Sequence, residues 1–446
     1  CDCWKAKGFF FYFFFISYIY TMIIMDDSTL LPPLPEQPQV RFHTASVTET
    51  ADSITHWSAE RELQSSIISI QTFDYRQPGN RLPVSMKSIN QQGDVAAYEI
   101  YDFMGQYTYG SYDDGEVLVR NRVEALELRG KEFLGESNCR AMRPGYSFEL
   151  TQHYEHDNGS SENRKFLLMS IEHGGSNNYL SGKQAGYANK INCVRKKIKF
   201  RPQLNTRTPS ISGPQTASIV GPPGEEIYTD ELGRVKVQFH WDRYGDFNDK
   251  SSCWIRVAQS GASGGFGSIL IPRVGDEVVV VFLDGNPDRP LIMGSLYNSQ
   301  NMPPWSLPAS KTQSGFLTRS MKGRGSNANF FRFEDKAGAE QVIVHAERNM
   351  DTEIEADESH KVGGNRQIKV EGKHSETIKL ETSIAVEDGS YYVTVDKGEV
   401  KIKAATSITL EVGASKLVMN HDGTITLAGI AVDVEGTTII NLNKTS

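Results

Sequence analysis

Between Val362 and Val418 large apolar residues recur at intervals of eight. Val362, Val370, Ile378 and Val386 form one run, with Gly363 and Gly372 nearby, and Ile402, Leu410 and Val418 hold the same spacing in a second register beyond the Asp388-Gly389-Ser390 turn. Coils this short are too thin to enclose a core of their own, so their apolar edge must be covered by other chains. Three chains wound into a prism satisfy that demand, with the β-branched residues on the axis, Lys, Glu and Thr outside, and each open strand edge covered by a neighbour. A single-chain β-helix is the weaker alternative, because its coils usually need longer turns. The expectation is a triple-stranded β-helix needle over 346–446, with those seven residues as its trimer core.

The rest of the chain reads as mainly β. Across 217–305, short period-2 apolar runs alternate with Gly, Pro, Asn and Asp: Val235 to Phe239, Trp254 to Val257, Ile269 to Pro272, Glu277 to Leu283 and Leu291 to Tyr297. Five such strands predict a small closed barrel. Residues 201–216, with few large apolar side chains and three prolines, read as an extended linker, and 306–345 as a connector. From about 26 to 205, strand-like runs dominate, among them Ser66 to Phe73, Ala97 to Phe103, Tyr146 to Leu150 and Phe166 to Glu172. One amphipathic helix is predicted over Glu116 to Phe133, from Val117, Val119, Val123, Leu126 and Phe133.

Phe9 to Ile24 is uncharged and preceded by Lys5 and Lys7, as in a signal peptide or membrane anchor. It falls short of the roughly 20 residues that span a bilayer. Its aromatic density favours paired β-strands.

Little here points to chemistry. The net charge of -8, from 47 basic and 55 acidic residues, argues against nucleic-acid binding, which needs a clustered basic surface. The run Arg195-Lys196-Lys197-Ile198-Lys199 is the local exception and reads as a solvated edge. Cys1, Cys3, Cys139, Cys193 and Cys253 are odd in number and scattered, which suits reduced thiols of a protein made in the cytosol. His153 and His156, with Glu155 and the later His173, are the best metal candidates; since they follow a strand and run into Asp157-Asn158-Gly159, an exposed polar loop is the favoured reading. Asp242 in Trp241-Asp242-Arg243, and Asp284 and Asp288 in the Asp284 to Pro290 turn, tempt an acid/base assignment. At strand ends their oxygens are better placed to cap backbone N–H groups. No catalytic residue, cofactor or metal is assigned.

The wording of the central strands is more specific than their period. Glu226 to Tyr228, Gly233-Arg234-Val235, Phe239-His240-Trp241-Asp242-Arg243, Cys253-Trp254-Ile255-Arg256-Val257, Pro272 to Val278 and Asp284 to Pro290 together resemble the OB-fold barrel of the VgrG family, the spike of the type VI secretion tube, related to contractile-phage spikes. Ser260-Gly261-Ala262-Ser263 departs from the family's usual wording in one loop. The resemblance extends to Gly8 to Phe13 and Thr21 to Ser28 as a strand pair, to Ile54 to Gln64 as a link into the next strand, and to Asn329 onward as the approach to a needle. It implies a hub of β-barrels over 1–205, N-terminally incomplete since position 1 is not Met, then the OB-fold collar over 206–305 and the trimeric needle. It further implies a homotrimer contacting the tube protein at the hub end and a tip-cone protein or effector at the needle end. Such a spike is made in the cytoplasm, exported without a cleaved signal peptide, and punctures a target membrane. The alternatives are a tail-spike or hub component of a contractile phage, and a spike whose appended enzymatic domain is missing from this chain.

Overall fold

The computed structural model describes residues 7–16, 19–43, 51–89, 96–179, 182, 185–203 and 207–437; Cys1 and Cys3 lie outside them. The chain separates into two units, Cys1–Asp351 and Thr352–Ser446, and it is mostly β, as its periodicity requires.

The first part of unit one holds β1 (Phe10–Ile16), β2 (Ile19–Met25), β3 (Gln39–Phe42), β4 (Ser53–Arg61), β5 (Ile67–Phe73), β6 (Val84–Lys87), β7 (Glu99–Gln106), the helix α1 (Tyr112–Arg129), β8 (Lys131–Ser137), β9 (Ser147–Thr151), β10 (Lys165–Ser176) and β11 (Gly186–Arg195). Six of these close a barrel in the order β10-β11-β8-β4-β3-β9. Bulges between Ile54 and His56 and between Leu168 and Ser170 bend its walls. Its core is aromatic: Phe133 stacks on Trp57 at 5.6 Å and meets Phe166 edge-on at 4.8 Å. Gly135 makes room for this, since a Cβ there would lie 2.9 Å from the Trp57 ring and 3.0 Å from Ile191. The stretch Ile54–Gln64, expected as a link, is largely the barrel strand β4.

Beside the barrel, the sheet β6-β5-β7 is covered by α1. In β5 burial strictly alternates, so Ile68 and Ile70 reach the helix face carrying Val119 and Val123. The helix starts four residues before the expected position. The Ser111 side chain accepts from the Asp114 N–H, Asp113 and Asp114 sit in the first turn, and Gly130 ends it. Phe133 accordingly belongs to β8, inside the barrel.

The aromatic stretch near the start is a strand pair, in register from Phe10 opposite Met25 to Ile16 opposite Ile19. Phe10 packs with Leu31, Leu128, Leu167 and Val194, and the buried Arg201 donates to the Gly8 carbonyl at 2.8 Å and pairs with Glu124 of α1. Among the described residues no helix is long and apolar enough to cross a membrane.

The collar contains β12 (Gln215–Val220), β13 (Lys236–Phe239), β14 (Arg256–Val257), β15 (Glu277–Phe282) and β16 (Pro290–Leu296), ordered β13-β12-β15-β16-β14. Val235 and Ile255 exchange backbone hydrogen bonds of 2.9 and 2.8 Å, which joins the two edges and closes the sheet. Ala217, Ile219, Val237, Val278, Val280 and Ile292 fill the interior. Ile269–Pro272 is not a strand. The Gln259 side chain donates to the Leu270 carbonyl and accepts from its N–H, at 3.1 and 3.0 Å, taking the place of a ladder partner. The fifth strand is β12, so Gln215 and Thr216 belong to the barrel and not to the linker. A meander of β17 (Gln313–Leu317), β18 (Phe330–Glu334) and β19 (Gln341–His345) follows.

In unit two the described residues from Thr352 to Thr406 form no strand. Beyond them β20 (Ser407–Val412), β21 (Ser415–Asn420) and β22 (Ile425–Ala428) make an antiparallel meander.

Candidate functional site

The spaced apolar residues of unit two come first, because they have no cover within their own chain. Val362, Val370, Ile378 and Val386 are 46–51 % exposed, and Ile402 is 69 % exposed. No backbone hydrogen bond within the chain joins the described residues 352–405. Soluble proteins rarely leave so long an apolar row bare without a partner to cover it. Counting through the Asp388-Gly389-Ser390 turn, Thr394 stands at the intervening position, so the two runs share one phase. Leu410 and Val418 stand on neighbouring antiparallel strands, with Leu410 opposite Leu417 and Val418 opposite Thr409. Leu410 is 58 % exposed and Val418 half-buried.

Hub and collar meet in unit one through arginines from the collar and tyrosines from the hub. The Arg256 guanidinium lies 4.1 Å from the Tyr75 ring centre, and Arg289 lies 4.9 Å from that of Tyr107. Arg234 donates to the Tyr75 hydroxyl at 2.7 Å, Arg256 to Gln106 Oε1 at 3.2 Å and Arg289 to Thr108 Oγ1 at 3.0 Å. The Tyr75 contacts are anchored behind. Asp230 pairs with Arg234 at 2.6 Å, and Asp74 takes a forked pair of bonds from Arg76 on the turn that presents Tyr75. Both carboxyls lie below the usual carboxylate range: Asp74 chiefly through its Arg76 hydrogen bond, and Asp230 because, although burial is its largest single effect and raises it, the Arg234 hydrogen bonds and charge and the Leu232 N–H together outweigh that. Gly105, at φ +83, lets the hub backbone approach, since a Cβ there would meet Arg289 at 3.3 Å.

The candidate metal and acid/base residues do other work. His153 and His156 are 2 % and 7 % exposed, which corrects the expectation of an exposed polar loop. Their rings stack 4.8 Å apart, His153 packs edge-on to Phe42 at 4.6 Å, and Trp57 Nε1 donates to His156 Nε2 at 3.3 Å. The Trp57 bond engages His156 Nε2, and the Glu155 N–H donates to His153 Nδ1 at 3.3 Å. Burial, with help from His153 and Arg195, pushes His156 down to about 4. His173 bonds instead to the Tyr187 hydroxyl at 2.6 Å. No group of three or more metal-ligating side chains occurs among the described residues. Asp242 accepts from the N–H groups of Tyr244 and Gly245 at 3.1 Å, the capping role its position suggested. Cys139, Cys193 and Cys253 are free thiols. The junction arginines carry no local sequence signal, because their partners lie far upstream in the chain.

Three family models match in chain order: the phage tail baseplate hub over residues 4–179, the type VI secretion system/phage-baseplate injector OB domain over 226–297, and the bacteriophage T4 gp5 C-terminal trimerisation domain over 314–426. The type VI secretion system spike protein VgrG1b of Pseudomonas aeruginosa is 42% identical over 326 residues, 71% of this chain and 42% of that protein. VgrG1a of the same organism is 38% identical over 397 residues, 86% of this chain and 60% of that protein. The actin cross-linking toxin VgrG1 of Vibrio cholerae is 32% identical over 393 residues, 86% of this chain and 34% of that protein. The chain thus spans less than two thirds of the length of each.

Proposed function

The chain belongs to the VgrG family of type VI secretion spike proteins, and we propose that it is a trimeric spike working by mechanical force. In this reading 1–205 form the hub, 206–305 the linker and collar, 306–345 a connector and 346–446 the needle. Val362, Val370, Ile378, Val386 and Ile402 face the threefold seam, whereas the antiparallel register of Leu410 with Leu417 and of Val418 with Thr409 puts Leu410 and Val418 on opposite faces of their sheet, so only one of those two can continue it. The observation that carries the proposal is that uncovered seam, which coincides with the match to a trimerisation domain. Three copies give each apolar row two partners, and hydrogen bonding between chains makes a rod that cannot open one strand at a time.

The arginine–tyrosine junction supports the same reading, since a thrust delivered to the hub must pass to the collar without slippage. Its contacts are numerous and mutually braced. The partners in this reading rest on the family resemblance: the tube protein at the hub end, a tip-cone protein or effector at the needle end, and a membrane as the object punctured. Export proceeds through the type VI apparatus itself. Catalysis is assigned to no residue of this chain: Asp242 caps its own turn, and His153 and His156 pack the barrel.

Release of the tube protein into the medium tests this. A strain lacking the spike should regain release on expression of the native chain and not of the Val370→Asp variant. Equal rescue by both would refute the proposal.

A further inference from the structure

At one end of the hub barrel three adjacent strands finish on cations. β4 ends at Arg61, β8 begins at Lys131 and β11 ends at Arg195. The register sets Arg61 directly opposite Lys131, and the pairing of Cys193 with Phe133 brings Arg195 to the other side of Lys131. Residues opposite one another share a face, so all three line one cavity of about 560 Å³. Lys131 and Arg195 lie 5.2 and 5.6 Å from the ring centre of the buried Phe133.

Like charges placed opposite one another weaken a sheet, and here the weakness is uncorrected. Burial first, then repulsion from Arg61, pulls both Lys131 and Arg195 below their ordinary pKa, with Glu155 pulling Lys131 only weakly the other way. Among the described residues neither Arg61, Lys131, Arg195 nor Lys197 is within ion-pair distance of a carboxylate. The two acids that line the cavity are engaged elsewhere. Glu127 accepts from Ser88 Oγ at 2.6 Å and the Ile89 N–H at 2.9 Å, and Glu62 faces Arg129 at 3.9 Å. The Asn163 carbonyl and side chain take one bond each from Arg195 and Lys197 and supply no charge.

We propose that this cavity binds a carboxylate-rich peptide segment of a partner protein. Guanidinium forks match carboxylate geometry, and the cations sit at strand ends where a segment can reach them. A lone oxyanion would leave most of the volume empty, since a water molecule takes only about 30 Å³. Leu63, Phe133 and Ile198 add an apolar lining that suits the body of a peptide. The cluster thus gives up stability in the free protein for affinity, as binding sites commonly do.

The test uses the full chain and a fluorescein-labelled hexa-glutamate peptide followed by anisotropy, with hexa-glutamine and inorganic phosphate as comparators. Saturable binding of hexa-glutamate alone is expected, weakened about tenfold, or ~1.4 kcal/mol, by Lys131→Gln and by Arg195→Gln. Free Lys131→Gln should melt no lower than the parent, because it removes a repulsion. Arg61→Gln, at an exposed position, gives a second variant in case the others fail to fold. Absence of saturable binding, equal affinity in the variants, or displacement of the peptide by an equal concentration of phosphate would overturn the proposal. So would a Lys131→Gln variant that melts lower while binding unchanged.

Discussion

Acidification should destabilise the hub barrel in a window set by two stacked, buried histidines, since burial also lowers the pKa of His153 beside His156. In the unfolded chain His156 accepts a proton near its ordinary pKa of 6.5, whereas in the folded barrel burial holds it down to about 4. The folded state therefore refuses a proton that the unfolded state takes. Its stability is complete above about pH 6.5, falls as pH descends through the interval, and stops falling from this cause below about 4. Each pH unit between the two values costs about 1.4 kcal/mol, so the whole interval costs about 3.5 kcal/mol. Asp74 and Asp230 lose their contributions only at lower pH, as it passes below their ordinary carboxylate values toward their depressed ones. Urea unfolding followed by Trp57 fluorescence at a series of pH values would measure the slope. His156→Gln keeps an acceptor for the Trp57 N–H and cannot titrate, so its stability should fall less steeply across the same interval, the remaining slope coming from His153. A wild-type curve parallel to that of His156→Gln, or an NMR titration placing His156 near 6.5, would refute the reasoning.

Three further outcomes are expected. Gly115→Ala, normally worth up to about 1 kcal/mol to a helix, should instead lower the melting temperature, because its Cβ would lie 2.7 Å from Val84 and 2.9 Å from the Tyr109 ring, and overpacking costs about 1–3 kcal/mol. Arg256→Ala should loosen the collar by about 2 kcal/mol, from the cation–π contact and the Gln106 bond, seen as faster proteolysis between hub and collar. Val370→Asp places three like charges on the needle axis, at a cost on the order of 3–5 kcal/mol per unpaired charge; the trimer should dissociate in sedimentation at micromolar concentration.

Much of this architecture is legible in the residues, and the misses have physical causes. Strands such as Glu277–Phe282 announce themselves through an unbroken β-branched run ending in Phe. Gln215–Val220 does not, because its polar and small residues are acceptable only between two neighbouring strands. Phe133 sits at a helical spacing, yet Gly130 stops the helix and Lys131 opens a strand, and only the capping residues reveal that shift. The histidine pair looked solvent-bound because imidazole is polar; stacking and one indole N–H make its burial tolerable. In the needle, the period identifies which residues need cover, but period alone does not distinguish successive coils from the antiparallel strands that carry Leu410 and Val418. The junction of Arg234, Arg256 and Arg289 with Tyr75 and Tyr107 was invisible, since nothing local marks an arginine for a distant ring.

The mass of the purified chain in solution bears most directly on the seam. Light scattering at micromolar concentration should return three times the chain mass of 49.7 kDa, unchanged on dilution and lowered by Val370→Asp. A native chain that runs at the mass of one copy would contradict the trimeric spike.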